Sequence, residues 1–368
     1  MSDTLNRTEL FTGTMPVAER QRFDLAALDS HLRAHIDGFT GPLSVEQFKG
    51  GQSNPTFKLM TPGRTYVLRS KPGPAAKLLP SAHAIDREFR VMSGLAGSDV
   101  PVAKMHTLCE DESVIGRAFY VMDFVDGRVL WDPQLPGMTP EQRTAIFDEM
   151  NRVMAALHQV DFAAAGLSDY GKHEGYLARQ IARWSKQYRA SETESIPAMD
   201  ALIEWLPAHI PAGEETSVVH GDYRLDNVIF HATEPRILAV LDWELSTLGH
   251  PLADFAYHCM AWYLPPGAGR GLGGIDLTGS GIPKVQDYIA RYCERTGRPE
   301  YDARSGARGI PNFEFYMAYN MFRMAGILQG IMKRVVDGTA ASAQAVAMGK
   351  SARPIAEQGW VVAQQIKD

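Results

Sequence analysis

Residues 218–230 read VVHGDYRLDNVIF: two short runs of Val, Ile and Phe interrupted by His220, Asp222, Arg224, Asp226 and Asn227. The flanking runs have the β-branched and aromatic character of strands. Polar groups set between strands add nothing to a sheet, so they shape a turn, bind, or react. Asp and Asn satisfy their own backbone in turns, and Asp226 is read as a turn acid. Asp222 and Asn227 gain a different meaning from RILAVLDWE at 236–244, a hydrophobic strand that ends on Asp242. An amide on that loop and a carboxylate a hairpin away offer oxygen ligands that a hard divalent cation takes, while the loop's own carboxylate is placed to meet a substrate hydroxyl.

The rest of the chain bounds what can surround such a loop. With 368 residues, 45% of them hydrophobic, it can bury a large core and is expected to divide into two lobes. A net charge of -6 offers no broad cationic surface for nucleic acid. A neutral or locally acidic small molecule suits it better. Cys109, Cys259 and Cys293 form no CxxC pair, which argues against a disulfide framework and a zinc site. The first twenty residues lack the apolar core of a signal peptide, and no later run approaches the roughly 18 apolar residues of a membrane span. The expectation is a soluble, cytoplasmic protein with no membrane partner. Nothing in the sequence bears on oligomeric state.

Along the chain, FDLAALDSHLRAHI (23–36) has helical spacing, and 43–72 shows strand alternation broken by Gly-rich and Pro-Gly turns. The helix SAHAIDREFRVMSGL (81–95) places Ile85, Phe89, Met92 and Leu95 on one stripe, with Glu88 at its edge. AFYVMDFVDG (118–127) reads as a strand ending in an acidic turn. Beyond about residue 125 the segments 139–160 and 176–191 are helical, and only the opening stretch and RILAVLDWE look extended. The fold class is therefore α+β: an N-terminal extension (1–24), a small antiparallel sheet lobe (25–124) and a larger, mainly α-helical lobe (125–368). The Gly-rich stretch at 265–283 reads as a loop and a candidate substrate lid.

Moving a phosphoryl group requires neutralisation of phosphate charge and one carboxylate to orient the attacking hydroxyl. The sequence holds four devices of that kind. Asp222 and Asn227 show the D-x-x-x-x-N spacing of a kinase catalytic loop, and Asp242 stands where the D-F-G aspartate would. In FKGGQSNPTFKL, Gly50 and Gly51 let backbone N–H groups, with Ser53 and Asn54, approach phosphate, although an ordinary hairpin turn explains the same residues. Arg69, in TYVLRSK, and Glu88 on the following helix form the fourth, a pairing set against a solvent-facing Glu88.

The ordered set GGxSN (50–54), VLR (67–69), Glu88, HGDxxxxN (220–227) and LDWE (241–244) resembles the aminoglycoside phosphotransferase and choline kinase family, within the protein-kinase-like fold. It looks closest to the phosphotransferase domains linked to acyl-CoA dehydrogenases, and it covers roughly residues 25 to 330. The resemblance implies a two-lobed fold and ATP-dependent, Mg2+-assisted transfer of the γ-phosphoryl group to a hydroxyl of a small molecule. The acceptor would be an amino alcohol, a sugar-like compound or a hydroxyacyl compound, with a possible functional link to an acyl-CoA dehydrogenase. By the same resemblance Asp222 is the catalytic base, Asn227 and Asp242 hold magnesium, and Met122, Asp123 and Phe124 belong to the hinge that contacts adenine. Asp254 braces the catalytic loop, and His220 is read as holding that loop rather than reacting.

One departure is Arg69, where the family usually has lysine. Arginine stays charged and grips phosphate bidentately, but its planar head alters any pair with Glu88. It motivates an alternative, a catalytically silent nucleotide-binding module. A metal-dependent phosphoesterase is a third reading, weakened because no G-D-x-H block exists. Two further patterns fail their structural tests. Gly269, Gly271 and Gly274 satisfy G-x-G-x-x-G but follow Pro265 and Pro266 rather than a strand, and GKS at 349–351 lacks the P-loop glycine, with Gln344 in its place. For the acceptor, Glu314, Tyr316, Tyr319 and Arg323 are expected to line a cleft, caging an amino alcohol or holding an acid.

Overall fold

The computed structural model describes residues 12–50, 54–73, 84–266, 271–299, 309–340 and 344–366. Its contacts divide the chain into two compact units, neither of them one continuous stretch. Residues 1–131, 162–170 and 224–246 form the first; 132–161, 171–223 and 247–368 form the second.

In the first unit the alternating segments become a six-stranded antiparallel sheet. Its strands are β1 (Thr14–Met15), β2 (Ser44–Phe48), β3 (Thr56–Met60), β4 (Thr65–Ser70), β5 (Met105–Cys109) and β6 (Phe119–Asp123), in the order β1-β2-β3-β4-β6-β5. The two-residue period sends Phe57, Leu59, Tyr66, Leu68, Phe119 and Val121 to one face. There they meet Leu28 and Leu32 of helix α1 (Leu25–His35) in one hydrophobic cluster. Asp24 starts α1 by accepting from the N–H groups of Ala26 and Ala27. The opposite face carries Val67, Arg69, Tyr120 and Met122, and helix α2 (Ile85–Leu95) covers it.

The face α2 buries differs from the expected stripe. Ile85, Glu88, Val91, Met92 and Leu95 are buried and Phe89 is only half-buried, so Glu88 lies inside rather than at the edge. The sheet supplies donors that make its burial tolerable, as the site geometry shows.

Four more strands follow: β7 (Ser217–Val219), β8 (Val228–Phe230), β9 (Ile237–Val240) and β10 (Thr247–Gly249). In the first unit β8 and β9 form an antiparallel ribbon, with Val228 opposite Val240. In the second unit β10, which the sequence did not announce, pairs antiparallel with β7, setting Gly249 against Ser217.

The second unit is otherwise helical: α3 (Pro140–His158), α4 (Tyr176–Ser191), α5 (Pro197–Ala208), α6 (Pro251–Cys259), α7 (Val285–Thr296), α8 (Phe313–Val336), α9 (Ala345–Lys350) and α10 (Ala352–Ala363). Thr139 and Gln142 form a reciprocal capping box at the start of α3. Helix α8 is buried along most of its length and packs against α4, α5, α6, α9 and α10. Gly349 and Lys350 lie within α9, in keeping with the rejection of GKS as a P-loop. Cys109, Cys259 and Cys293 are buried and form no disulfide. No helix among the described residues is long and apolar enough to cross a membrane.

Candidate functional site

In the first unit, strand register decides which polar groups meet. Arg69 of β4 stands opposite Tyr120 of β6, and both face α2. Glu88 therefore arrives between them. Its Oε2 lies 2.8 Å from Arg69 Nε, an ion pair whose N–H is not aligned as a hydrogen bond. Tyr120 Oη donates to Oε2 at 3.0 Å and Asn54 Nδ2 donates to Oε1 at 2.9 Å. Burial pushes the Glu88 carboxyl above the usual carboxylate range, against the opposing pull of Arg69, Tyr120 and Asn54. Asn54, expected at the phosphates, is instead fully buried with its amide on Glu88. Polar side chains in a dry interior must find partners, and Glu88 supplies one.

Arg69 also serves two acids that the chain brings from far away. Its Nη2 lies 3.2 Å from Asp242 Oδ1 and 3.5 Å from Glu244 Oε2. Burial works against the guanidinium charge, and Glu88, Tyr120, Asp242 and Glu244 outweigh it, so Arg69 stays cationic. Glu244 lies two positions beyond Asp242 in LDWE (241–244), and nothing in that motif alone marks it as a partner of Arg69.

The β8–β9 ribbon explains how Asn227 and Asp242 come together. Asn227 immediately precedes β8, and Leu241 follows β9 and donates its N–H to the Asn227 carbonyl at 2.7 Å. The next residue, Asp242, adopts a left-handed backbone (φ 64°), a conformation that Asp tolerates better than most residues, and its side chain is 36% exposed. Among the described residues no cluster of three or more His, Cys, Asp or Glu is placed to hold a metal ion. Magnesium still fits two protein ligands, because it normally completes its octahedron with phosphate oxygens and water. A cation already sits against the Asp242 carboxylate in the form of Arg69.

Of the residues expected at the hinge, Met122 and Asp123 end β6 and Phe124 follows it. Met122 pairs within the sheet, and Asp123 donates its N–H to Lys104 O at 2.9 Å. The Asp123 carboxylate is engaged by Arg64 Nη2 at 2.6 Å and His106 Nε2 at 2.7 Å. Phe124 stacks near Phe48 and under Lys58 Nζ, 4.7 Å from its ring centroid. Gly50 follows β2 in the chain, whereas Gly51 and Ser53 lie outside the described residues.

In the second unit, β7 leads into residues 220–222 and its partner β10 leads into α6, so the loop begins beside the start of that helix. His250 caps α6 and Pro251 occupies its first turn. Asp254, also in that turn, accepts from His220 N at 2.7 Å and Gly221 N at 2.8 Å. Burial opposes its charge, but the hydrogen bond and charge of His158, with those of His220, hold its carboxyl below the usual range. Gly221 has φ 83°, a left-handed turn that favours glycine. The His220 ring is fully buried and accepts from Asp222 N at 3.1 Å. The Asp222 carboxylate accepts from Tyr257 Oη at 2.5 Å.

The expected acceptor residues are differently disposed. Tyr316 and Tyr319 are 3% and 1% exposed, too enclosed to form an aromatic cage around a ligand. Arg323 donates to the Gly221 carbonyl at 2.9 Å, its guanidinium lying against the Tyr257 ring. The described part of the Gly-rich loop is tied down: Leu272 N donates to Ala261 O and Gly273 N to Leu264 O. A Cβ on Gly271 would lie 2.1 Å from the Leu264 carbonyl oxygen, so glycine is required there by close packing rather than by motion.

The model of the phosphotransferase enzyme family matches residues 44–302, a span that holds Arg69, Glu88, Asp222, Asn227, Asp242 and Asp254. The chain belongs to the phosphotransferase enzyme family. It is 47% identical over 350 residues to mouse acyl-CoA dehydrogenase family member 10, covering 94% of this chain and 32% of that protein. Mouse acyl-CoA dehydrogenase family member 11 is 41% identical over 360 residues, covering 96% of this chain and 45% of that protein. This phosphotransferase-family chain thus spans less than half the length of the curated relatives it matches.

Among solved structures, a putative aminoglycoside phosphotransferase from Ralstonia eutropha is similar to this family member at 63% identity and a TM-score of 0.86, covering 94% of this chain and all of that one. A hygromycin B complex of aminoglycoside phosphotransferase APH(4)-Ia with ADP gives a TM-score of 0.59 at 16% identity, covering 90% and 97%. At that identity the likeness concerns the fold, which is protein-kinase-like and α+β.

Proposed function

We propose that this chain is an ATP-dependent small-molecule kinase that moves the γ-phosphoryl group to a hydroxyl of an amino alcohol, a sugar-like compound or a hydroxyacyl compound. The observation that carries this reading is the fixed loop around Asp222, whose backbone and carboxylate are each held by buried side chains. Orienting a hydroxyl for in-line attack demands that degree of fixation. Asp222 orients the acceptor oxygen and receives its proton as the new O–P bond forms and ADP leaves. The Asn227 amide oxygen and the Asp242 carboxylate hold magnesium, which supplies charge neutralisation at the phosphates. Arg69, aimed by Glu88, grips phosphate oxygens; Gly50, Gly51 and Ser53 lie along them; Met122, Asp123 and Phe124 contact adenine. The names of the curated relatives support a functional link to an acyl-CoA dehydrogenase.

A second reading, a silent nucleotide-binding module, is favoured by the contact of Arg69 with the Asp242 carboxylate, a cation standing where a metal is wanted. The two readings part in one experiment. In the kinase, Asp222→Asn retains MgATP affinity and loses turnover by about 10² to 10⁴, the contribution of a positioned general base. Near-normal turnover in the variant rejects Asp222 as the base. Binding of MgATP by the unaltered chain without turnover on any hydroxylated acceptor establishes the module instead.

A further inference from the structure

Helix α6 grips the loop at two heights. Asp254 takes the N–H groups of His220 and Gly221, and Tyr257, three residues on and therefore on the same helical face, reaches the Asp222 carboxylate. Tyr257 is 6% exposed. A phenylalanine of the same shape would fill that volume but would lack the contact with Asp222. Arg323 of α8 closes the cluster from a third direction: it holds the Gly221 carbonyl, and its guanidinium carbon lies 5.1 Å from the centroid of the Tyr257 ring. Ring, carboxylate and loop carbonyl are thereby linked, while neither Tyr257 nor Arg323 has a part in the nucleotide and metal roles described above.

From this geometry we propose that Tyr257 is a positioning residue for phosphoryl transfer, its phenol fixing the plane of the Asp222 carboxylate for the acceptor hydroxyl while Arg323 holds the ring and the loop. The inference rests on the kinase reading and deepens it. A carboxylate that rotates about its two side-chain bonds is misaligned most of the time; one held by a charge-assisted O–H···O contact is not. A bound acceptor has a single orientation and needs that alignment. Water is mobile and meets the carboxylate in any orientation. Loss of the phenol therefore affects transfer to the acceptor and spares hydrolysis of the nucleotide by water.

The test compares the full chain with Tyr257→Phe, using MgATP and an acceptor on which the unaltered chain turns over, and follows kcat, the KM for MgATP, acceptor-free ATP hydrolysis and the thermal midpoint. We expect kcat to fall by about 10- to 100-fold, the scale of a small misplacement of a reacting group, with KM for MgATP, hydrolysis and midpoint unchanged. Arg323→Lys, which keeps the charge, should show a smaller loss in the same direction, and the double variant should lose no more than Tyr257→Phe alone. An unchanged kcat, or a fall shared by acceptor-free hydrolysis, overturns the positioning role while leaving the kinase reading in place. If the unaltered chain turns over no acceptor at all, the kinase reading fails and this role fails with it.

Discussion

Arg69 Nε lies 2.8 Å from Glu88 Oε2, with the two side chains 11% and 1% exposed. The pair is asymmetric, because Arg69 has Asp242 and Glu244 as further partners, whereas Glu88 is otherwise held by the neutral donors Asn54 and Tyr120. Arg69→Met should therefore cost more stability than Glu88→Gln, on the order of the 3 to 5 kcal/mol seen when one partner of a buried pair is removed. The double variant should cost less than the sum. Urea denaturation of the four proteins measures this, and full additivity would rule out the coupling.

Asp242→Asn keeps a side chain that tolerates the left-handed backbone and removes the charge. The expected outcome is an intact fold with magnesium-dependent nucleotide binding abolished. The shift of melting temperature with ATP and magnesium, compared with ATP and a chelator, reads it directly. An unchanged magnesium-dependent shift counts against Asp242 as a ligand.

Asp254→Asn replaces one of two carboxylate oxygens by a donor that faces His158 or the loop N–H groups. The loop should lose its fixed position, with kcat lowered about 100-fold, the cost of misplacing a reacting group. MgATP affinity should hold, since the hydrogen bonds of Asp254 among the described residues run to His158, His220 and Gly221, none of which is assigned to the nucleotide. Parallel loss of kcat and MgATP affinity would show that Asp254 supports more than the loop.

Acid should weaken the second unit. Burial pushes His250 and His258 down to about 4 from the ordinary 6.5. Between those values the unfolded chain binds more protons than the folded one, so stability is complete above about pH 6.5 and drains as pH falls towards 4. The Asp254 carboxyl, held below its ordinary range, adds a further loss at still lower pH. Thermal midpoints from pH 7 to 4 should fall by an amount equivalent to a few kcal/mol, and His258→Gln should flatten part of the slope. A flat profile in the unaltered chain would contradict the burial of both rings.

Much of this architecture was legible because it is written in local periods. Strand alternation at 43–72 gave the sheet, and the α1 and α2 spacings gave their helices. The spacing from Asp222 to Asn227 and the strand ending on Asp242 pointed to the ribbon that joins them. What the sequence does not announce depends on partners remote in sequence. Arg69 and Asp242 are 173 positions apart, and no pattern near either one announces the other. The depth of Glu88 depends on Asn54 and Tyr120 coming to meet it, and a short strand such as β10 depends on β7. Tyr257 stands at the end of HPLADFAY (250–257), one helical turn from Asp254, so the helical period offers the signal; what its hydroxyl meets only folding reveals.

The sharing of one guanidinium among Glu88, Asp242 and Glu244 constrains how this protein can diverge. A lysine at position 69 offers a single ammonium in place of a planar fork, and it cannot span three acids spread around its head. A lineage that changes this cation must also alter an acid, or carry an intermediate with uncompensated negative charge in a half-dry interior. Arginine here and the acid two places beyond Asp242 should therefore be inherited together, as one character rather than as separate positions.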